Sequence, residues 1–237
     1  MVILAALRKY AANRLKQWVR NGPLIKALQA AFDASLDLLP KMSDKSMLVA
    51  VHLEGEGRKK LHVKGATHFT PAVATAHFIK FMHKTEMKIT HVFFNERVED
   101  VPITPKTPIV EVLENLENCK VEESNFDLTE PIKWATQRKA KFDNILIITD
   151  LKKVASAMDF QAHVRQYRRE VDHQHTKVAV LGLSEVTTTV ADVKDLNLLE
   201  MSGLNDSALQ LLLRFFKGDL DFDPSGDNEP AASNSAS

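Results

Sequence analysis

The apolar positions change their period once along the sequence. In the first part they recur every three or four residues, which is typical of amphipathic helices. One such stripe runs from Leu4 to Trp18 and a second from Leu24 to Leu36, with Asn21-Gly22-Pro23 between them and Pro40 after the second. Because proline and glycine interrupt helices, the pattern predicts two consecutive helices rather than one long one.

Further along, short apolar runs bounded by turn residues alternate with helical spacing. Such runs are typical of strands buried on both faces, and the alternation indicates a parallel sheet with crossover helices. The predicted strands are a run from Met47 that stops after His52, then Ile89–Phe94, Val98–Ile103 at an edge, Asn144–Asp150, Lys177–Leu183 and Leu196–Met201. The predicted helices are Pro71–Lys84, one opened by Pro108 with Val110, Leu113 and Leu116 on its apolar face, one capped by Thr129, one marked by Phe160, Val164, Tyr167 and Val171, and Asn205–Phe216 stopped by Gly218.

The expected fold is therefore α/β, a doubly wound and mainly parallel sheet of about six strands preceded by a short α-helical segment. We place the helical segment at residues 1–41 and the α/β domain at residues 42–218. Residues 219–237 are acidic and then rich in Ala, Ser and Asn, so a disordered tail is expected there. The amino terminus is not expected to be a targeting or membrane segment, because no basic residues precede its apolar run and Arg8 interrupts it.

The net charge and the single cysteine bear on which partners and which compartment this chain can have. The 31 basic and 31 acidic residues cancel, so binding to nucleic acid or a membrane surface requires a local patch rather than a global field. The single cysteine, Cys119, cannot form an internal disulfide and favours a reducing compartment. A cytoplasmic location is expected, with the nucleus as an additional compartment, and no membrane partner.

Polar residues follow two of the predicted buried strands where each strand ends. His52, Glu54 and Glu56 follow the first, and Asp150 follows Asn144–Thr149. Ligands bind at the carboxyl ends of strands in open α/β sheets, and these side chains are possible ligands for zinc or another transition metal. The alternative is a solvated polar loop. The sequence contains neither a nucleophile-elbow motif nor a glycine-rich phosphate-binding loop, so no enzymatic activity is expected.

Three basic clusters could contact RNA phosphates, since such contacts need only local positive charge. The alternative for each cluster is an ordinary solvated surface. The first comprises Arg58, Lys59, Lys60 and Lys64, the second Arg165, Arg168 and Arg169, and the third Arg138, Lys139 and Lys141.

Several segments resemble a known family. VAVHLEGEG, VFFNERVEDVPI, LTEPIKWA, LIITD and MSGLNDSALQLLLRF are similar to the carboxyl-terminal von Willebrand factor A-like domain of the TROVE family of Ro ribonucleoproteins. VILAALRKY and IKALQAAFDASL resemble the last helices of that family's helical-repeat ring. The resemblance implies an RNA-binding ribonucleoprotein component, because in this family the ring binds small noncoding Y RNAs and misfolded RNAs. The alternative is a metal-independent protein-interaction module that has lost RNA binding and holds a protein partner at the carboxyl-end face of the strands.

The same resemblance implies a degenerate metal site. The family's Asp-x-Ser-x-Ser motif, its Thr and its second Asp fall at His52, Glu54, Glu56, at or near Phe126, and at Asp150. Only the last of these keeps the family's residue type. Magnesium prefers compact oxygen ligands at about 2.0–2.1 Å. We therefore expect no cofactor, with a divalent metal at the degenerate site as the open alternative.

Overall fold

The computed structural model of the protein describes residues 21–53, 63–94, 97–118, 127–149, 157–184, 190–192 and 194–220. The predicted helix between Leu4 and Trp18 lies outside these residues, as does the predicted tail from residue 221 onward. The proposed boundaries at residues 42 and 218 stay predictions.

Six strands form one sheet in the spatial order β3-β2-β1-β4-β5-β6. The strands are β1 (Ser46–His52), β2 (Lys88–Phe94), β3 (Val98–Asp100), β4 (Asn144–Thr149), β5 (Lys177–Gly182) and β6 (Leu198–Ser202). All neighbouring pairs are parallel except β2 with β3. The predicted doubly wound α/β sheet is confirmed. β2 and β3 lie on one side of β1, whereas β4, β5 and β6 lie on the other, and this reversal of direction creates a crevice between β1 and β4.

Helices cover both faces of this sheet. They are α1 (Gly22–Asp37), α2 (Pro71–His83), α3 (Ile109–Asn118), α4 (Glu130–Gln137), α5 (Ala157–Glu170) and α6 (Asp206–Lys217). Met47, Val49 and Val51 share a core with α2, α3 and α6, while Leu48 and Ala50 share the other with α4 and α5. This division follows from the strand period of two, which sends successive side chains to opposite faces. Both faces are buried, so β1 is apolar throughout rather than alternating.

Local signals in the sequence fix several helix ends. The backbone N–H of Val73 donates to Thr70 Oγ1 at 3.3 Å at the start of α2, and that of Ala208 donates to Asn205 Oδ1 at 2.7 Å at the start of α6. These bonds satisfy main-chain donors that the helix leaves unpaired. Gly218 ends α6 with φ of 96°, a left-handed conformation that glycine adopts without steric cost, as predicted.

Three sequence predictions are corrected here. Val110 is 62% exposed, because the inward face of α3 follows the spacing of Ile109, Val112 and Leu116. Thr129 occupies the N-cap position of α4 but makes no side-chain cap bond; its hydroxyl donates to Asp127 Oδ1 at 2.6 Å. The edge strand β3 ends at Asp100, before Pro102, which has no N–H for a ladder.

The helix before the sheet packs through one end. Leu36 is buried and Phe32 packs partly against the core on the α2 side, whereas Leu24 is 42% exposed. In the portion of the chain that the structure describes, no helix combines the length and apolarity needed to cross a bilayer.

Candidate site at the carboxyl edge of the sheet

Of the predicted ligand residues, the structure describes His52, which lies at the crevice between β1 and β4. His52 ends β1 and is paired in register with Thr149, the last residue of β4. Both side chains are buried. Asp150, Glu54 and Glu56 lie outside the described residues, as does Phe126, so the convergence of the full set stays a prediction. The parallel register explains why residues almost a hundred positions apart meet at this edge.

His52 is held in one orientation by the neighbouring strand. Its Nδ1 donates to the main-chain oxygen of Phe94, at the end of β2, over 2.8 Å, and the two rings lie 5.6 Å apart. Burial lowers the pKa of His52 to about 4, although the Phe94 carbonyl acts in the opposite direction. The imidazole is therefore neutral at pH 7, with its proton on Nδ1 and its lone pair on Nε2.

This arrangement bears on the metal that the family's motif implies. A histidine that donates one ring nitrogen to a backbone carbonyl can offer the other nitrogen to a transition metal. It does not supply the anionic oxygen that magnesium prefers. Within the described ranges, no group of three or more His, Cys, Asp or Glu side chains could hold a metal ion. The described residues thus do not fit magnesium, and we assign no chemistry to a metal at this edge.

A polar network at the start of α4 lies next to the position aligned with the family's threonine. Asp127 accepts hydrogen bonds from the N–H and hydroxyl of Thr129 and from Lys133 Nζ at 2.6–2.8 Å. Burial alone would raise the pKa of Asp127, but the bonds from Lys133 and Thr129 outweigh it and lower that pKa. Sequence reasoning missed this network, although Asp-x-Thr before a helix is a pattern of side chain to backbone turns. Its hydrogen bonds stabilise the loop entering α4.

The predicted RNA-contacting residues that the structure describes lie on different elements, Lys64 in a loop and the arginines on α5. Lys64 lies near the carboxyl ends of β5 and β6, where its N–H donates to Leu183 and its carbonyl accepts from Leu204, each at 2.8 Å. Arg165 and Arg169 are exposed on α5, and Arg165 lies 3.6 Å from Asp192. Arg58, Lys59 and Lys60 lie outside the described residues. RNA contacts by these residues stay a prediction.

Arg168 has a different role from its exposed neighbour Arg169. Its side chain is only 8% exposed, Nε donates to Thr176 O at 3.0 Å, Nη2 donates to Asn197 O at 2.9 Å, and Nη1 pairs with Asp195. All three nitrogens are engaged with protein acceptors before β5 and β6. The assignment of Arg168 as an RNA contact is therefore corrected: it is a buried link between α5 and the amino ends of two strands.

Comparison with known proteins agrees with this architecture. The family model described as the Ro60 vWA domain matches residues 46–216. The RNA-binding protein RO60 of Caenorhabditis elegans is 23% identical over 220 residues, covering 91% of this chain and 33% of that protein. The RNA-binding protein RO60 of Deinococcus radiodurans is 22% identical over 207 residues, covering 86% of this chain and 37% of that protein.

The same fold is present in a solved relative. The crystal structure of the Deinococcus radiodurans RO (RSR) protein superposes with a TM-score of 0.78 at 22% identity, covering 92% of this chain and 44% of that chain. The present chain thus spans about a third of the length of the curated relatives it matches. Since the family model covers the whole sheet and its crossover helices, the chain belongs to the Ro60 vWA domain family.

Proposed function

We propose that this chain is the von Willebrand factor A-like part of an RNA-binding ribonucleoprotein component, with a degenerate metal site and no enzymatic activity. The observation that carries the proposal is the family match across the sheet, together with two relatives that are named as RNA-binding proteins. By the same resemblance, the RNA partners are small noncoding Y-type RNAs and misfolded RNAs. A cytoplasmic location, with the nucleus as an additional compartment, is part of this proposal and rests on the single Cys119.

We expect this chain alone to bind RNA weakly, with a dissociation constant of about a micromolar or above near physiological salt. Its net charge is zero, so only local basic patches attract phosphates. Fluorescence anisotropy with a labelled structured RNA at two salt concentrations measures this affinity and its salt dependence. Submicromolar binding near physiological salt would contradict the expectation.

The same titration tests the alternative class, a protein-interaction module without RNA affinity. Such a module should show no RNA binding even at low salt, where phosphate contacts are strongest. Salt-sensitive binding at low salt instead supports the RNA-binding proposal.

Magnesium and manganese are expected to leave the melting temperature unchanged at millimolar concentration. A ligand at 100 times its dissociation constant that binds only the folded state adds about 2.7 kcal/mol, which a thermal melt detects easily. His52 is a neutral imidazole bonded through Nδ1 to Phe94, which supports the absence of a magnesium site. Zinc is the sharper probe, because imidazole and carboxylates together suit it. A rise in melting temperature with zinc that is absent in both His52→Ala and Asp150→Ala would contradict the degenerate-site proposal and would show a new metal site at this edge.

A further inference from the structure

The edge of the sheet opposite the candidate site carries a row of lysines. Lys88 begins β2, Lys45 precedes β1 and Lys141 lies in the loop entering β4, and these are three adjacent strands. The N–H of Lys88 donates to Lys45 O at 3.0 Å, while Ser46 Oγ lies 3.5 Å from Lys141 O. Neighbouring strands are about 4.8 Å apart, so the row spans roughly 10 Å of the edge.

Two more cations extend this row along the loop between α4 and β4. Arg138 follows the end of α4, and its guanidinium carbon lies 4.4 Å from the centre of the Trp134 ring. Lys139 comes next, exposed, with a positive φ of 49°. We call these five residues the amino-edge basic band: Lys45, Lys88, Arg138, Lys139 and Lys141.

Most carboxylates near this edge are already hydrogen-bonded or paired with another side chain. Among the described residues, none of the band's four lysines has an ion pair. Arg138 pairs with Asp100 at 3.3 Å, but both side chains are more than half exposed, and exposed pairs contribute little. Asp143 accepts from the N–H and hydroxyl of Ser46 at 2.7 and 2.8 Å and also attracts Lys45, Glu86 pairs with Lys41 at 3.0 Å, and Asp44 is an exposed carboxylate beside Lys45.

The carboxyl ends of the crossover helices lie at the same edge and attract cations on their own account. This effect explains Arg138 and Lys139, which follow the last turn of α4. It falls off within about one turn of the helix end. It does not account for Lys45 and Lys88, which lie at the starts of strands.

We propose that the amino-edge basic band binds the phosphate backbone of single-stranded RNA, with Arg138 as a platform for one base. The inference rests on the proposed function and deepens it by locating the contact away from the carboxyl edge. Lysine ammonium groups engage phosphates as point charges. The Arg138 guanidinium lies over the Trp134 ring and the side chain is 56% exposed, so it offers a base the kind of planar surface on which RNA bases stack. A carboxylate of an acidic protein segment would instead pair with the N–H groups at the edge of the guanidinium, so stacking on its face distinguishes RNA from such a segment.

The test compares two triple charge reversals in the full chain. Lys45→Glu, Lys88→Glu and Lys141→Glu change the band, and Lys26→Glu, Lys106→Glu and Lys194→Glu make the same charge change at exposed sites elsewhere. Affinity for a labelled oligouridine is measured at about 50 mM salt and above, with thermal melts to verify folding. We expect the band variant to lose about tenfold or more in affinity and to flatten the salt dependence, with a smaller loss in the control. Arg138→Lys keeps the charge, so a loss in this variant reports what the planar guanidinium adds, by stacking on a base or by paired hydrogen bonds to a phosphate.

Each outcome bears on a different statement. Equal losses in the two triple variants, with oligouridine binding retained, overturn the location and leave the proposed function intact. No RNA binding by the unmodified chain at low salt overturns both. Polyglutamate that competes with oligouridine as strongly as unlabelled RNA, together with an unaffected Arg138→Lys variant, shows an acidic protein partner and overturns the assignment to RNA.

Discussion

Acidification from pH 7 to pH 5 is expected to lower the free energy of unfolding by about 3–5 kcal/mol, because three histidines are buried in neutral form. Burial lowers the pKa of His52 and His83 to about 4 and that of His91 to about 3, from an ordinary value of 6.5. Below pH 6.5 the unfolded chain takes up these protons and the folded protein does not. Stability is therefore complete above pH 6.5 and falls progressively as the pH drops towards 4.

His83 and His91 form a coupled pair that explains part of this effect. Their Nε2 atoms lie 3.0 Å apart, and His91 Nδ1 is buried without a hydrogen-bond partner. If His91 carried its proton on Nδ1, a buried donor would be unsatisfied, which costs more than an unused acceptor. We therefore assign the proton to His91 Nε2, which donates to His83 Nε2. Protonation of the pair would place a charge in the core beside Lys80, which also lowers the pKa of His83.

Chemical denaturation at pH 7 and pH 5 measures the effect. The double variant His83→Leu with His91→Leu should lose about two thirds of the pH dependence, because it removes two of the three titrating groups while replacing both partners of the hydrogen bond. The control is His175→Leu, because the His175 side chain is exposed to solvent in the folded protein. Asp127 and Asp143 have lowered pKa values, so their contribution is lost only below about pH 4. A double variant with the full pH dependence would contradict the assignment to this pair.

Replacing Arg168 with alanine is expected to cost about 3–5 kcal/mol of stability, the range found when one partner of a buried ion pair is removed. The variant leaves Asp195 without its cation and removes the donors to Thr176 O and Asn197 O. Arg168→Lys should remain destabilised by about 2 kcal/mol, because an ammonium group cannot reproduce the planar fork of donors.

The adjacent arginine provides a matched control for this measurement. Arg169 is exposed on the same helix, so Arg169→Ala should change stability by only about 0.5 kcal/mol. Urea denaturation at neutral pH compares the two variants. An Arg168→Ala protein within about 1 kcal/mol of the unmodified chain would show that the buried network contributes little.

The sequence by itself determined the elements of this fold. Apolar runs such as Met47–Val51 and Ile145–Ile148 predict buried strands, and Asn205 and Gly218 bracket the last helix, because strand period, helix caps and glycine conformation depend on a few neighbouring residues. The prediction that Val110 faces the core was wrong, because an apolar residue type does not by itself show which side of a helix packs against the sheet. The family resemblance could also be recognised from the sequence alone, because it rests on short segments of the chain.

Only the tertiary structure decided which side chains share an environment. The strand order brought His52 beside Thr149 and placed Lys88 opposite Ser46, where its N–H bonds to Lys45 O, and no short window of sequence contains those pairs. Arg168 and Arg169 are chemically identical neighbours, yet one is buried and the other exposed, because each residue of a helix turns its side chain by about 100°. Burial and long-range pairing arise from packing between distant elements. They set the protonation of His52 and the role of Arg168, neither of which can be read from the residue type alone.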